Sequence, residues 1–196
     1  MRKITGFIIS RISKKWGTAR IKKLIWDKEF SSGQWSYINS TGEDIIYHYI
    51  EKYSNNGTIL DIGCGAGNTG NELSINKYEK YAGLDISQNA VNNDILRSQQ
   101  NNRSGKNYYF CGDMLTYIRD EKYDLILFRE SIWYVRKGKI HSMLQRYSMY
   151  LKDHGCFIVS ICQIDKHGHI IRLIEQEYTI LERFYDHERG IIIVFY

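Results

Sequence analysis

The chain has 196 residues and a formal net charge of +5, and its 43% apolar and 14% aromatic content excludes an intrinsically disordered protein. That length suits one domain with a substantial core. The longest apolar runs fall well short of the ~20 residues that a membrane span requires. Charges interrupt residues 1–16 too early for the apolar part of a secretory signal, so we expect none.

The positive charge is concentrated in the N-terminal segment. Residues 1–28 hold nine basic residues and one acid, Asp27, a net charge of +8 that leaves −3 for the remainder. Apolar residues recur there at every fourth position: Ile4, Ile8, Ile12 and Trp16. This spacing is typical of an amphipathic helix. We therefore predict a basic helical arm or lid over residues 1–40 and a domain over residues 41–196.

The cysteines and histidines give no sign of a metal site. The four cysteines lie far apart and form no CxxC pair: Cys64, Cys111, Cys156 and Cys162. We expect buried free thiols, which favours a reducing compartment and hence the cytoplasm. The histidines, including those of "DKHGH" at 165–169, have no metal-ligand spacing, and we expect no metal.

Strand-like and helix-like patterns alternate after the arm. The strand-like runs are 58–62, 80–86, 107–111, 123–128 and 155–161, and the helical patterns are 43–53, 67–75, 87–99 and 138–152. Nearly continuous apolar strands separated by helices predict an α/β fold whose parallel sheet has helices on both faces. The last segment, "YTILERFYDHERGIIIVFY", predicts an antiparallel hairpin, because a short polar link joins its two strand-like runs.

A glycine-rich loop, "TILDIGCGAGNTG" (Thr58–Gly70), follows the first run. Glycines after a parallel strand let the backbone approach a ligand and begin a helix whose N–H groups face it. A P-loop is excluded, because no lysine occurs between Gly70 and Lys77. "GAGNTG" fits the dinucleotide pattern GxGxxG, but Asp61 at the strand end would repel a pyrophosphate. It suits S-adenosylmethionine, which carries an ammonium and a sulfonium and no phosphate.

Two later carboxylates complete this pattern. Asp85 ends the second run, where a carboxylate can accept hydrogen bonds from both ribose hydroxyls. Asp113 ends the third, where it can accept from an adenine amino group. The carboxyl ends of neighbouring parallel strands form the edge at which open α/β sheets bind ligands. For each acid the alternative is a helix N-cap or turn residue.

Five segments in order resemble the class I S-adenosylmethionine-dependent methyltransferases over roughly residues 40–196. "ILDIGCGAG" is similar to the family's first motif, "GLDIS" to the second, "CGDML" to the third and "YDLILFRES" to the fourth. "YLKDHGCFIVSI" resembles the fifth-strand segment, with His154 where proline is common. The resemblance implies a Rossmann-like seven-stranded sheet, mostly parallel with an antiparallel terminal hairpin, and helices on both faces.

The resemblance also implies S-adenosylmethionine as cofactor and S-adenosylhomocysteine as product. It assigns cofactor contacts to Asp61, Gly63, Gly65, Asp85, Ile86, Asp113, Met114 and Arg129. Asp61 would orient the loop and the methionine amino group, and the glycines would allow close approach. Asp85 would hold the ribose, Ile86 would pack on the adenine, and Asp113 with the Met114 backbone would contact the adenine edge.

The acceptor should lie beside "RESIWYV" (129–135), since the residues after the fourth strand normally face the transferred methyl. An [ND]PPY-like motif is missing there, which argues against nucleobase and amide N-methyltransferases. Glu130 and the following "SIWYV" resemble the nodulation protein S branch, which methylates an amino group of a glucosamine oligosaccharide. Glu130 is the candidate base or acceptor contact, with a surface salt bridge as the alternative. Tyr134 is either an acceptor contact or a core aromatic.

Three aromatic residues of the N-terminal segment are candidates for the lid and the acceptor wall: Trp26, Trp35 and Tyr37. Packing of N-terminal helices on the sheet is the alternative for each. The predicted function is methyl transfer to oxygen or an amine nitrogen of a small molecule or glycan, such as a nucleotide- or lipid-linked sugar. An anionic acceptor or a membrane surface would both use the basic arm.

Two alternatives remain open. In an RNA methyltransferase the arm would track phosphates, and we expect no DNA partner. The other is a non-catalytic S-adenosylmethionine-binding module.

Overall fold

A computed structural model of the chain describes residues 10, 12–35, 41 and 44–196. The predictions for Ile4, Ile8 and Tyr37 lie outside these residues. Residues 12–16 are helical, and a second helix begins after Thr18, whose Oγ1 accepts a hydrogen bond from the Ile21 backbone N–H at 3.4 Å. In this part of the chain, none of the helices combines the length and apolar character needed to cross a bilayer.

The α-helices after residues 12–16 are α1 Ala19–Ser31, α2 Ile46–Ser54, α3 Asn68–Glu72, α4 Gln88–Gln100, α5 Lys137–Ser148 and α6 Ile164–Glu177. The strands are β1 Thr58–Ile62, β2 Lys80–Asp85, β3 Asn107–Cys111, β4 Tyr123–Arg129, β5 Leu151–Ile161, β6 Ile180–Asp186 and β7 Gly190–Phe195. A 3-10 turn covers Ile132–Tyr134.

The seven strands form one sheet in the order β3-β2-β1-β4-β5-β7-β6. The strands from β3 to β5 in that order pair in parallel, whereas β7 pairs antiparallel with both β5 and β6. This confirms the Rossmann-like sheet with an antiparallel terminal hairpin. The strand order reverses between β1 and β4, which opens a crevice at the carboxyl ends of these strands.

Helices cover both faces of the sheet, as predicted. Leu60 of β1 belongs to one core cluster with residues of α5 and α6, such as Leu144 and Ile174. Ile59, its neighbour in the strand, belongs to the other cluster with residues of α2 and α4, including Val91. Successive side chains of a strand point to opposite faces, so apolar residues at consecutive positions fill both clusters.

One predicted boundary is wrong. The helical pattern at 138–152 ends earlier, with α5 stopping at Ser148 and β5 starting at Leu151. Leu151 pairs with Tyr123 of β4, and the register shifts between Tyr123 and Leu125. Pairing with the neighbouring strand therefore overrides the helical periodicity of this segment.

The cysteine prediction is half right. All four thiols are free, and Cys64 and Cys156 are buried. Cys111 and Cys162 are exposed, contrary to expectation. Cys111 is the last residue of β3 and Cys162 follows β5, so both lie at the carboxyl ends of strands.

Residues 12–16 turn a polar side chain toward the domain. Ile12 and Trp16, which belong to the predicted apolar stripe, are 55% and 59% exposed, whereas Lys14 between them is buried. Helix α1 is anchored at the start of α4, where Asp27 Oδ1 accepts a 2.7 Å hydrogen bond from Ser87 Oγ and its backbone oxygen one of 2.9 Å from Asn89. The arm therefore lies against the carboxyl edge of the sheet.

Candidate active site

A cavity of about 910 Å³ opens at the carboxyl ends of β1, β2 and β4. This volume is near the upper end of the roughly 300–1,000 Å³ of small-molecule sites. Its walls come from the glycine loop, from the segments after β2 to β5, and from α1 with residues 12–16. The predicted cofactor and lid residues that the structure describes all line it.

The glycine loop is fixed to β2 by its own backbone. The N–H groups of Gly63 and Cys64 donate to the Leu84 carbonyl oxygen at 2.7 and 3.1 Å. Gly63 has a φ of +79°, and a Cβ there would lie 2.6 Å from Ser131 Cβ. Gly65 has a φ of +58° and faces the cavity. The left-handed conformation requires glycine at both positions, and the bare backbone admits a ligand at close range.

Asp61 lines this cavity and has one carboxylate oxygen without a hydrogen-bond partner among the described residues. The side chain is buried, and Oδ2 accepts a 2.6 Å hydrogen bond from the Tyr81 hydroxyl. Oδ1 is buried and has no hydrogen-bond partner among the described residues. Burial raises the pKa of Asp61 to about 6, although the Tyr81 hydroxyl opposes the shift. A buried carboxylate with a free acceptor fits an ammonium, which would satisfy Oδ1 and favour the charged form.

Asp85 lies across the loop from Asp61. Its Oδ2 accepts from the Gly65 N–H at 3.0 Å, and its Oδ1 accepts from the Ser87 N–H at 2.8 Å. Burial raises the pKa of Asp85 to about 6 as well. Each carboxylate oxygen retains acceptor capacity after these bonds, so Asp85 can still receive hydroxyl donors. The carboxylate is thus held in place by two backbone groups.

Ile86, Asp113 and Met114, for which adenine contacts are predicted, also line the cavity. Asp113 Oδ1 accepts a 2.9 Å hydrogen bond from the Leu115 N–H. This acid therefore also stabilises the turn, which is the alternative role predicted for it. The Met114 carbonyl oxygen accepts from Tyr147 Oη at 2.9 Å and from the Arg146 guanidinium. Because the Met114 carbonyl oxygen is engaged in this way, the Met114 N–H is the backbone group that can contact a ligand.

Arg129 ends β4 and holds α2 against the sheet. Its guanidinium donates to Asp44 Oδ2 at 2.8 Å and to Tyr47 Oη at 2.9 Å. It also lines the cavity and lowers the pKa of nearby Asp61. Its geometry points to anchoring α2 and modulating Asp61, and direct contact with the cofactor stays a prediction.

Glu130 lies in the middle of the cavity wall with an unusual backbone. Its φ is +54°, a conformation that costs a non-glycine residue of order 1–3 kcal/mol and is concentrated at functional sites. Its Oε1 accepts from Ser160 Oγ at 2.9 Å and its Oε2 from the Cys162 N–H at 3.1 Å. The surface salt bridge that was the alternative prediction for Glu130 is not formed with any described residue. Burial raises the pKa of Glu130.

The lid candidates pack on one another and on Tyr134. The Trp26 ring meets the Tyr134 ring edge-on at 5.0 Å between centroids, and Trp35 lies 5.7 Å from Trp26. Phe30, which the sequence analysis missed, lies nearest the loop, 3.7 Å from where a Cβ of Gly65 would be. Tyr134 is therefore both a packing aromatic and a part of the wall, and α1 covers the glycine loop.

A buried ion pair supports this aromatic group. Lys14 Nζ lies 2.5 Å from Glu29 Oε2 and 3.8 Å above the Trp26 ring. Glu29 Oε2 also accepts a 3.1 Å hydrogen bond from Trp35 Nε1. Neither charged residue stands out in the sequence, since only the docking of residues 12–16 against α1 brings them together.

A family model described as a methyltransferase domain matches residues 53–189, which is more than half of the chain. The chain belongs to this methyltransferase family. The cofactor of the methyltransferase is S-adenosylmethionine. The unpaired oxygen of Asp61 fits the ammonium group of this cofactor. The glycine loop, which has no side chains at Gly63 and Gly65, fits a cofactor that lies close to the backbone.

Solved structures share the fold of the methyltransferase at low sequence identity. The N-methyltransferase NodS from Bradyrhizobium japonicum WM9, solved with S-adenosylhomocysteine, has a TM-score of 0.70 and 16% identity, over 88% of this chain and 96% of NodS. The magnesium protoporphyrin IX methyltransferase ChlM from Synechocystis PCC 6803, with bound S-adenosylmethionine, has a TM-score of 0.67 and 15% identity, over 88% and 94%. A search of curated proteins finds no match.

The far end of the methyltransferase cavity is formed by residues that the sequence analysis did not single out. The Trp133 and His167 rings stack with centroids 5.0 Å apart and an interplanar angle of 8°. Lys15 and Lys166 line the cavity beside them. A pattern search could not have found this group, because its members come from three separate segments. Within the described residues, no cluster of three or more His, Cys, Asp or Glu side chains could hold a metal.

Proposed function

We propose that this methyltransferase transfers the methyl group to an oxygen or amine nitrogen of a small-molecule or glycan acceptor. The observation that carries the proposal is the extent of the cavity. It continues from the three carboxylates past Glu130 and Tyr134 to Trp133, under the lid formed by α1. A cofactor occupying the carboxylate end leaves room for an acceptor of modest size, enclosed by protein.

Bound S-adenosylmethionine supplies an activated methyl group on a sulfonium. The protein's part is to position the acceptor in line with that methyl and to exclude water. Glu130 lies on the wall with its carboxylate fixed by Ser160 and the Cys162 backbone. A buried carboxylate with a raised pKa can accept the proton of an acceptor hydroxyl or ammonium, or hold the acceptor through a hydrogen bond. Tyr134 forms the adjoining wall.

Both oxygen and amine nitrogen stay within the proposal. The segment from Glu130 to Val135 resembles the nodulation protein S branch, and the structural relative NodS is an N-methyltransferase. These two likenesses support an amine. The raised pKa of Glu130 suits a hydroxyl acceptor equally, because a base with a pKa nearer 7 assists either proton transfer.

The orientation of the arm favours a small acceptor over RNA. Lys14 is buried in the lid, and Lys15 and Lys22 line the cavity, so these lysines face inward. An RNA methyltransferase would need them on an open surface to contact phosphates. Measurement of RNA affinity at rising salt tests this alternative, since phosphate contacts give a steep decrease.

The first experiment is a calorimetric titration of the protein with S-adenosylhomocysteine, with NAD as the control ligand. Asp85→Ala should abolish binding, whereas Asp153→Ala, an exposed acid on β5, should leave it unchanged. Binding of NAD, or equal affinity in both variants, would contradict the cofactor assignment.

Transfer of a labelled methyl group is then measured with nucleotide sugars, amino sugars and other small acceptors. Labelled product with any of these supports the proposal, and labelling of RNA alone would replace it with the RNA alternative. Glu130→Ala should retain S-adenosylhomocysteine binding and lose transfer. Cofactor binding by the wild type without transfer to any acceptor would favour a non-catalytic binding module.

A further inference from the structure

The acceptor end of the cavity has a flat aromatic wall. Trp133 belongs to the 3-10 turn after β4, and His167 lies in the first turn of α6. Their rings are stacked, with an interplanar angle of 8°, and both residues line the cavity. Together they form an aromatic plate in the cavity wall.

The charges along the cavity separate into two ends. Asp61, Asp85 and Asp113 occupy the cofactor end, and Lys22 lies near Asp113. In the middle, two ion pairs cancel: Lys14 with Glu29, and Arg129 with Asp44. At the acceptor end the wall contains Lys15 and Lys166. Within the described part of the chain, no carboxylate lies within ion-pair distance of either lysine.

The surroundings reinforce this positive charge. Among the described residues, Lys166 Nζ donates a hydrogen bond to the neutral side chain of Gln163, at 2.9 Å. Burial lowers the pKa of nearby His169, and the charges of Lys15, Lys137 and Arg172 lower it further. Glu130 is the acid that lines this end, and its carboxylate is engaged by Ser160 and Cys162. Asp165 is exposed on α6 and does not line the cavity.

We propose that the acceptor carries an oxyanion, such as a phosphate or carboxylate, bound between Lys15 and Lys166 beside the Trp133–His167 plate. Ammonium groups bind phosphate and carboxylate as point charges, and a partly enclosed site strengthens the attraction. A planar part of the acceptor would lie against the plate. This inference rests on the proposed function, because it names the chemical class that the acceptor end selects.

The test titrates the protein with inorganic pyrophosphate and with uridine diphosphate, each with and without saturating S-adenosylhomocysteine. The variants are the double substitution Lys15→Gln and Lys166→Gln, the single substitution Trp133→Leu, and the control Lys77→Gln. Lys77 is an exposed lysine that precedes β2, at the opposite edge of the sheet. Affinity for S-adenosylhomocysteine is measured on every variant.

We expect the double variant to lose at least tenfold in affinity for both probes, with unchanged affinity for S-adenosylhomocysteine. Trp133→Leu should weaken uridine diphosphate and leave pyrophosphate unaffected, because only the nucleoside offers a planar ring. Lys77→Gln should match the wild type. Equal probe affinity in the double variant and the control, or no probe binding by the wild type, would overturn the inference.

Failure of the cofactor assignment would look different. In that case S-adenosylhomocysteine would not bind, while the titrations without it would still report on the anion site. Binding of the two probes with equal affinity, lost in the double variant, would assign the site to an oxyanion without a nucleoside.

Discussion

The hydroxyl of Tyr81 on β2 donates a 2.6 Å hydrogen bond to Asp61 Oδ2 on the neighbouring strand β1. This bond fixes one oxygen of a buried carboxylate, whereas Oδ1 is buried and has no hydrogen-bond partner among the described residues. The hydrogen bond favours the charged form of Asp61, whereas burial disfavours it, and burial prevails because the pKa is raised to about 6. Binding of a cationic ligand at Oδ1 is therefore linked to ionisation near neutral pH.

The first prediction concerns the pH dependence of cofactor affinity. Asp61 and Asp85 both have a pKa of about 6, and the ligand requires their charged forms. The affinity for S-adenosylhomocysteine should therefore decrease below pH 6, by roughly tenfold per pH unit for each protonated group. Tyr81→Phe removes a donor to the carboxylate and should move the midpoint to higher pH. Tyr108→Phe on β3 is the control, and calorimetry across pH 5–8 measures the effect.

The second prediction concerns the stability of the protein without ligand. This stability should decrease as the pH rises, whereas the cofactor affinity should increase. Burial raises the pKa of Asp61 from 3.8 to about 6 on folding, so the folded state binds the proton more tightly than the unfolded state. The stability of the wild type relative to Asp61→Asn should therefore fall as pH rises from 4 to 7, by roughly 2 kcal/mol. Urea unfolding of both proteins at several pH values measures this difference. A constant difference would contradict the raised pKa.

The third prediction separates the two loop glycines. Gly63→Ala requires a left-handed alanine and places its Cβ 2.6 Å from Ser131 Cβ, so we expect a loss of about 2–5 kcal/mol in unfolding free energy. The Cβ of Gly65→Ala makes ordinary contacts, with Phe30 at 3.7 Å and the Gly63 carbonyl oxygen at 4.0 Å, so we expect a loss of about 1–2 kcal/mol, the backbone cost alone. Both variants should bind S-adenosylhomocysteine weakly, because the added methyl group enters the cavity. Equal destabilisation would argue against the Ser131 contact.

The fourth prediction tests Glu130 as a base. Glu130→Gln keeps the shape of the side chain but cannot take a proton, so kcat should fall by about 10²–10⁴ while affinity for S-adenosylhomocysteine changes little. The acidic limb of the pH–rate profile should disappear. Ser160→Ala removes one hydrogen bond to the carboxylate and should have a smaller effect on kcat. If both variants lose stability and keep the wild-type pH–rate profile, Glu130 has a structural role only.

The fifth prediction concerns the ion pair in the lid. The side chains of Lys14 and Glu29 are 8% and 12% exposed, so Glu29→Gln removes the negative charge beside a buried ammonium and should destabilise the lid. We expect faster trypsin cleavage in the N-terminal segment and weaker binding of S-adenosylhomocysteine. Lys23→Gln breaks the more exposed Lys23–Asp27 pair and should change the cleavage rate and the S-adenosylhomocysteine affinity only a little. Unchanged cleavage in Glu29→Gln would show that the pair does not hold the lid.

The sequence by itself determined the sheet and the cofactor end of the site. The apolar run at 58–62 coincides with β1, because a strand buried on both faces needs apolar residues at consecutive positions. Since parallel strands end at the same edge, the carboxylates that close β1 and β2, Asp61 and Asp85, necessarily meet there. A glycine-rich loop beside such carboxylates has few roles other than ligand binding, so the local sequence pattern was sufficient to predict this part of the site.

The tertiary structure alone decided the acceptor end and the lid. Lys14 meets Glu29, Trp26 meets Tyr134, and Glu130 reaches the end of β5, in each case across segments distant in the chain. Such contacts depend on how helices dock and on which strands become neighbours, and no periodicity within a segment records them. The exposed thiol of Cys162 and the early start of β5 have the same origin. Pairing and packing with distant partners set exposure and register, whatever the local pattern favours.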